Sequence, residues 1–172
     1  DFIMIGLPYI NSTFIDFNFK ELHSSMGAIK GFFDHLRSNP GPVPYPWSNL
    51  ENFDFQGKFT GYPDNFLATG FLATNLGDMI MDLSFKPDSI QGLDFRGRLN
   101  TRDFKLGAFL NQNELLASLD MDVMTEGNLH GGQIRANLEG SIDTLDFYRY
   151  AYSNIQLDGE FTNSTFDGGF TI

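Results

Sequence analysis

The sequence has no cysteine, one tryptophan and only 11 lysines and arginines in 172 residues. Without cysteine there is no disulfide and no thiolate metal site. Against 22 acidic residues the formal net charge is −11. The few cations are scattered, which excludes nucleic acid, because phosphate neutralisation needs clustered Lys and Arg. The same acidity disfavours docking on anionic lipid head groups but does not oppose contact with acyl chains. No apolar run approaches the roughly 18 residues of a membrane-spanning helix. Hydrophobic residues at 41% and charged residues at 19% are those of a globular chain able to bury a core.

What the chain has in quantity is phenylalanine, 19 residues, and glycine, 18 residues. Asn52-Phe53-Asp54-Phe55-Gln56-Gly57-Lys58-Phe59 alternates apolar and polar residues, with a glycine where another large side chain would stand. From there period two dominates. Successive apolar sets are Phe53/Phe55/Phe59, Met79/Met81/Leu83/Phe85, Leu93/Phe95/Leu99 and Phe104/Leu106/Ala108/Leu110. They continue with Leu115/Ala117/Leu119/Met121/Val123, Ile134/Ala136/Leu138/Ile142, Ile155/Leu157/Phe161 and Phe166/Phe170/Ile172. Residues 65–74 form an apolar strand whose facing the pattern leaves open. Turn signals separate the sets: Tyr62-Pro63-Asp64-Asn65, Asn75-Leu76-Gly77-Asp78, Lys86-Pro87-Asp88-Ser89, Gln112-Asn113, Glu126-Gly127-Asn128 and Thr162-Asn163-Ser164. The pattern predicts an antiparallel meander.

Residues 1–15 read as one strand or two, broken near Pro8. Phe19, Leu22, Met26, Ile29, Phe33 and Leu36 then recur at steps of three and four, predicting an amphipathic helix over 18–38. Asn18 and Glu21 fit a capping box, and Asn39-Pro40-Gly41 is a stop. A Pro-rich extended connector follows at 40–47. The chain thus divides into 1–47, carrying strand, helix and connector, and 48–172, carrying the sheet, within one domain.

A loose motif, apolar-x-apolar-x-Gly-x-apolar, recurs at 53–59, 93–99, 136–142 and 155–161. Its glycines, Gly57, Gly97, Gly140 and Gly159, hold a fixed phase on the apolar face, predicting a sheet that bends about that face. Nine strands about 4.8 Å apart span on the order of 40 Å. One helix about 10 Å thick cannot cover that width, and each large side chain left wet forgoes ~1.5–3 kcal/mol. The sheet must close, split into a sandwich, or curl into an open groove with an apolar guest.

"LENFDFQGKFTGYPDNFLATGFLATNLGDMIMDLSF" at 50–85, "FRGRLNTRDFKLGAFL" at 95–110 and "ANLEGSIDTLDFYRYAYSNIQLDGEF" at 136–161 resemble, in that order, strand and hairpin motifs of the TamB family of AsmA-like Gram-negative envelope proteins. The helix with its Pro-rich exit is similar to the helical insert that precedes such blocks. The resemblance implies an all-β fold, a long antiparallel meander curled into an open, taco-like groove. It implies an internal periplasmic segment of a protein anchored in the inner membrane and reaching the outer membrane. The implied role is non-enzymatic: conducting phospholipid between the membranes, assisting outer-membrane protein assembly with a β-barrel partner, or both. On that reading Phe53, Phe55, Phe59, Met79, Met81, Leu83, Phe85, Leu93, Phe95, Leu99, Leu119, Met121, Val123, Leu138, Ile155, Leu157 and Phe161 line the groove and contact acyl chains. No cofactor or metal is implied. Both termini fall inside strand patterns, the expectation for a piece of a longer chain, and raw sheet edges predict self-association. Asp88-Ser89-Ile90 and Asp143-Thr144-Leu145 resemble an O-glycosylation triplet of exported Gram-negative proteins.

The rival reading is a surface carbohydrate-binding or adhesive β-sandwich, with Phe147, Tyr148, Tyr150 and Tyr152 stacking on sugars. The bland reading of the same tyrosines is cross-strand pairing. Catalysis finds little support. His23 and His35 lie twelve residues apart on the predicted helix, too far for one metal, and His130 has no second ligand type nearby. Asp120 and Asp122 read as a solvated strand face, and no serine sits in a G-x-S-x-G setting.

Overall fold

The computed structural model describes residues 1–9, 12–28, 30–31, 47–87, 92–130, 133–163 and 165–171. Ten strands make one antiparallel sheet: β1 (Phe2–Ile5), β2 (Phe14–Ser25), β3 (Asn52–Tyr62), β4 (Asn65–Thr74) and β5 (Gly77–Pro87), then β6 (Gly92–Phe104), β7 (Leu116–His130), β8 (Gln133–Phe147), β9 (Tyr150–Thr162) and β10 (Thr165–Thr171). Their spatial order is their chain order, and β1 does not pair with β10. The meander is therefore a single open, curved sheet, as the alternation predicts, and neither a barrel nor a two-sheet sandwich.

The predicted helix over 18–38 starts later than its spacing suggests. Residues 18–25 continue β2, paired with β3 as far as Ser25↔Asn52. Helical backbone is assigned at 26–28 and 30–31. Residue 29, the predicted helix from residue 32 on, and residues 40–46 of the predicted 40–47 connector lie outside the described residues. The misreading has a physical cause. A register shift between Phe19 and Leu22 inserts one extra residue into β2, so its inward set runs Ile15, Phe17, Phe19, Leu22. That three-residue step, followed by Met26 four further on, imitates helical spacing. Asn18 is a strand residue paired with Lys58, not a cap.

Two other predictions change. The set Phe104/Leu106/Ala108/Leu110 is no strand, because β6 ends at Phe104 and Leu106–Phe109 forms one helical turn. Glu126-Gly127-Asn128 is no turn, because β7 runs straight through it.

Curvature comes from the inward glycines. Gly97 has φ +149°, a conformation essentially reserved for glycine, and a Cβ there would overlap the Asp82 carbonyl oxygen on β5. Glycine kinks of this kind bend a sheet toward the glycine-bearing face. Phenylalanine rings lie over the space so opened. The Phe55 ring borders Gly57 and Gly70, which face each other across β3 and β4, and the Phe166 ring borders Gly159 and Gly168 across β9 and β10.

Two buried clusters hold the inner face together. The first joins β7 to β9 through Leu119, Val123, Ile142, Ile155 and Leu157. The second joins Leu50, Leu76, Met79 and Phe104, with Met26, Ala108 and Phe109 packed against them. Asn49 Nδ2 donates to the Phe109 carbonyl at 2.7 Å, and the Lys105 amide donates to the Leu76 carbonyl at 2.6 Å. This second assembly, a plug, packs on the inner face beside the β4–β5 turn. Ile142→Val, which removes one methylene from the first cluster, is expected to cost ~0.5–1.5 kcal/mol in urea unfolding. A cost near zero would show that the cluster is loosely packed.

Candidate functional site: an apolar trough

Cross-strand pairing arranges the inner face in rows running across the strands. One row reads Phe17, Phe59, Ala68, Leu83, Gly97, Thr125, Leu138 and Gly159 from β2 to β9. The next, further from the plug, reads Ile15, Gly61, Phe66, Phe85, Phe95, Gly127, Ala136 and Phe161. All seventeen residues named above as groove-lining fall on this face by the same registers. The period-two reading thus places them together.

Their burial divides them. Met79, Leu83, Leu119, Val123, Ile155 and Leu157 are buried among the protein's own side chains, Val123 to 1% exposure. The other eleven are half-buried. Those on β3 to β6 are Phe53, Phe55, Phe59, Met81, Phe85, Leu93, Phe95 and Leu99. The face is thus packed at β7 to β9 and at the plug, and more open across β2 to β6 apart from the buried Leu83.

The open part is aromatic. Phe59 stacks on Phe66 at 4.5 Å between centroids, and Phe66 stacks on Phe85 at 5.2 Å. Beside this ladder Phe2, Phe17, Phe19 and Phe55 meet edge-to-face in sequence, at 6.0, 5.6 and 6.1 Å. Offset and edge contacts of this kind add to area burial and fix the rings as a wall. Phe17, Phe19 and Leu22 escaped the sequence reading because β2 imitates a helix. Phe66 and Leu72 escaped it because β4 is apolar on both faces, with Leu67 and Phe71 turned outward. The Gly57↔Gly70 pairing is the signal that fixes their facing.

Charged side chains run along the outer face, interrupted on β4 and β5 by Leu67, Phe71 and Ile80. Arg98 donates to both carboxylate oxygens of Asp122, through Nε at 2.6 Å and through Nη2. Arg96 lies 3.7 Å from Glu126, and Arg135 lies 3.4 Å from Glu160. The Arg98 hydrogen bonds hold the Asp122 carboxyl below the usual carboxylate range; partial desolvation opposes this and the guanidinium charge adds to it. Asp120 accepts from the Asp103 amide and from the Thr144 hydroxyl. Both acids therefore serve the sheet. Depressions of about 480 Å³ by Arg96 and Glu126, and about 740 Å³ by His23 and Asp54, are lined mainly by polar side chains and do not lie over the phenylalanine ladder.

His23 stands on β2, hydrogen-bonded through Nδ1 to Asp54 and 3.3 Å from Glu21 through Nε2. The Asp54 hydrogen bond, then the charges of Asp54 and Glu21, raise its pKa. A raised histidine stabilises the fold while protonated. Its contribution is full below the ordinary value of ~6.5 and is lost as pH rises through the raised value. Asp54→Asn is expected to lower the His23 titration, followed by NMR, with Glu21 still holding it above the ordinary value; an unmoved titration would remove Asp54 as the cause. Among the described residues no group of three or more His, Asp or Glu side chains is placed to hold a metal, and no helix is long and apolar enough to cross a membrane.

The chain is thus an open, single-layer antiparallel sheet with a mostly polar outer face and a phenylalanine-lined inner one. No family model, curated protein or solved structure matches the chain.

Proposed function

We propose that the chain is a non-enzymatic, apolar-ligand-conducting segment of a TamB-like envelope protein, whose inner face receives phospholipid acyl chains. The observation that carries this reading is the run of half-buried phenylalanines over β2 to β6 on one side of a single-layer sheet. Contiguous apolar surface beyond a few hundred Å² marks a binding surface. Each acyl methylene laid against it contributes ~0.8 kcal/mol. Rings and thioethers suit a guest of variable chain, because they offer area without fixing a single shape. Head groups stay in water beside the charged rim, so a polar pocket is not required. On this reading the location is the periplasm. Work on outer-membrane proteins would involve a β-barrel partner engaged through other parts of the longer protein.

Native mass spectrometry of the purified chain tests the reading. Phospholipid adducts that survive desalting, and that exchange for added lipid, are expected. A chain that carries none, and takes up none from mixed micelles, would overturn it.

A further inference from the structure

Beyond the trough, the β8–β9 hairpin departs from the chemistry of its own turn. Phe147 pairs with Tyr150, leaving the two-residue turn Tyr148-Arg149. Both turn residues have positive φ, +54° and +69°. Such a turn favours Asn-Gly, and each ordinary residue held there is strained. The strained pair is braced from behind: the Tyr148 amide donates to the Leu115 carbonyl at 2.7 Å, and the Ser118 hydroxyl donates to Asp146 at 2.8 Å. The strands beneath are bent at one level. Registers shift between Leu116 and Leu119 on β7 and between Ile142 and Thr144 on β8, and β9 carries Asn154 at φ +57° between Ser153 and Ile155. Bulges of this kind re-aim the side chains beyond them.

What they aim is a small aromatic platform. Phe147 and Tyr150 are direct partners, as are Leu145 and Tyr152, so the four share one face. Tyr150 is 68% exposed, Tyr148 62%, Phe147 42% and Tyr152 37%. None of the three phenol hydroxyls has a hydrogen-bond partner, and Arg149 makes no ion pair, among the described residues. The patch is a handful of side chains, against the 20–30 residues a side of a stable protein interface. It fits a small ligand with a flat apolar face, a rim of hydroxyls and, opposite the free guanidinium, negative charge.

We propose that the Phe147–Tyr152 hairpin binds an extended oligosaccharide, two or three rings long, stacked on Tyr150 and Tyr152, with Arg149 favouring carboxylated sugars. The site lies on the same sheet face as the trough, but at the β8–β9 turn and away from the open β2–β6 part, so either can fail without the other.

Titration calorimetry of the 172-residue chain with pentagalacturonate, cellopentaose and chitopentaose tests it. Saturable binding is expected, strongest for pentagalacturonate. Tyr150→Ala is expected to weaken it at least tenfold, and Arg149→Gln to weaken the acidic sugar alone. Tyr150→Phe should keep most of the affinity, which separates stacking from a folding defect. Lipid adducts by native mass spectrometry should be unchanged in all three variants. The proposal is overturned if none of the three sugars binds, if binding survives Tyr150→Ala, or if the tyrosine variants lose adhesion to phosphatidylethanolamine vesicles and no sugar is bound.

Discussion

Gly97→Val is expected to destabilise the protein by on the order of 3–5 kcal/mol, a large share of the ~5–15 kcal/mol that holds a typical domain. Two effects act in the same direction. At φ +149° a β-branched residue meets a conformation that glycine alone adopts freely, which costs ~1–3 kcal/mol. The new Cβ would also overlap the Asp82 carbonyl oxygen, and that atom belongs to the β5 backbone and cannot swing aside. The sheet must open at β5–β6 or lose its bend. Gly169 supplies the control, since a Cβ placed there meets nothing within 4 Å. Gly169→Ala is expected to change stability by less than ~0.5 kcal/mol. Equal urea midpoints for the two variants would mean that the inward glycines do not set the curvature.

The second large effect concerns the trough. Phe59→Asp combined with Phe85→Asp is expected to lower the affinity for a fluorescent fatty-acid probe at least about tenfold, equivalent to ~1.4 kcal/mol. Each aspartate puts a carboxylate where the ladder offers a ring, and an acyl chain laid against it would strip the charge of water at a cost of several kcal/mol. Phe59 and Phe85 flank Phe66 in the stacked series, so the pair breaks the wall on both sides. Gln56→Asp is the matching control, because Gln56 lies on the opposite, exposed face of the same strand as Phe59. If that control weakens the probe as much as the double variant does, net charge governs uptake and the wall does not.

The sequence is legible where one face is polar at every second residue. Asp54, Gln56 and Lys58 between Phe53, Phe55 and Phe59 leave β3 no other reading, and the same holds for β6, β8 and β9, whereas Ile80 breaks the polar face of β5. Legibility fails where the period breaks. The shift in β2 turned a strand into an apparent helix. The Leu116–Leu119 irregularity moved the inward set of β7 off Leu115 and Ala117, which the alternation had placed beside Leu119. Gly127, a glycine between polar residues, carries the signal of a turn. Glycine there makes room for the β8 backbone and for the Phe95 ring: a Cβ would overlap the Arg135 carbonyl oxygen and stand 2.8 Å from the ring. Membership of the inner face could be read in advance. Its division into packed and open parts could not, because that follows from how far the sheet curls and from where Leu106–Phe109 lands.

On the proposed function, lipid lies against one face of the sheet and not the other. Photo-crosslinking in cells reads this directly, with a benzophenone amino acid at Phe85 on the inner face and, separately, at Arg96 on the outer. Phospholipid adducts are expected from position 85 and absent from position 96. Adducts from neither position, or from both alike, would contradict it.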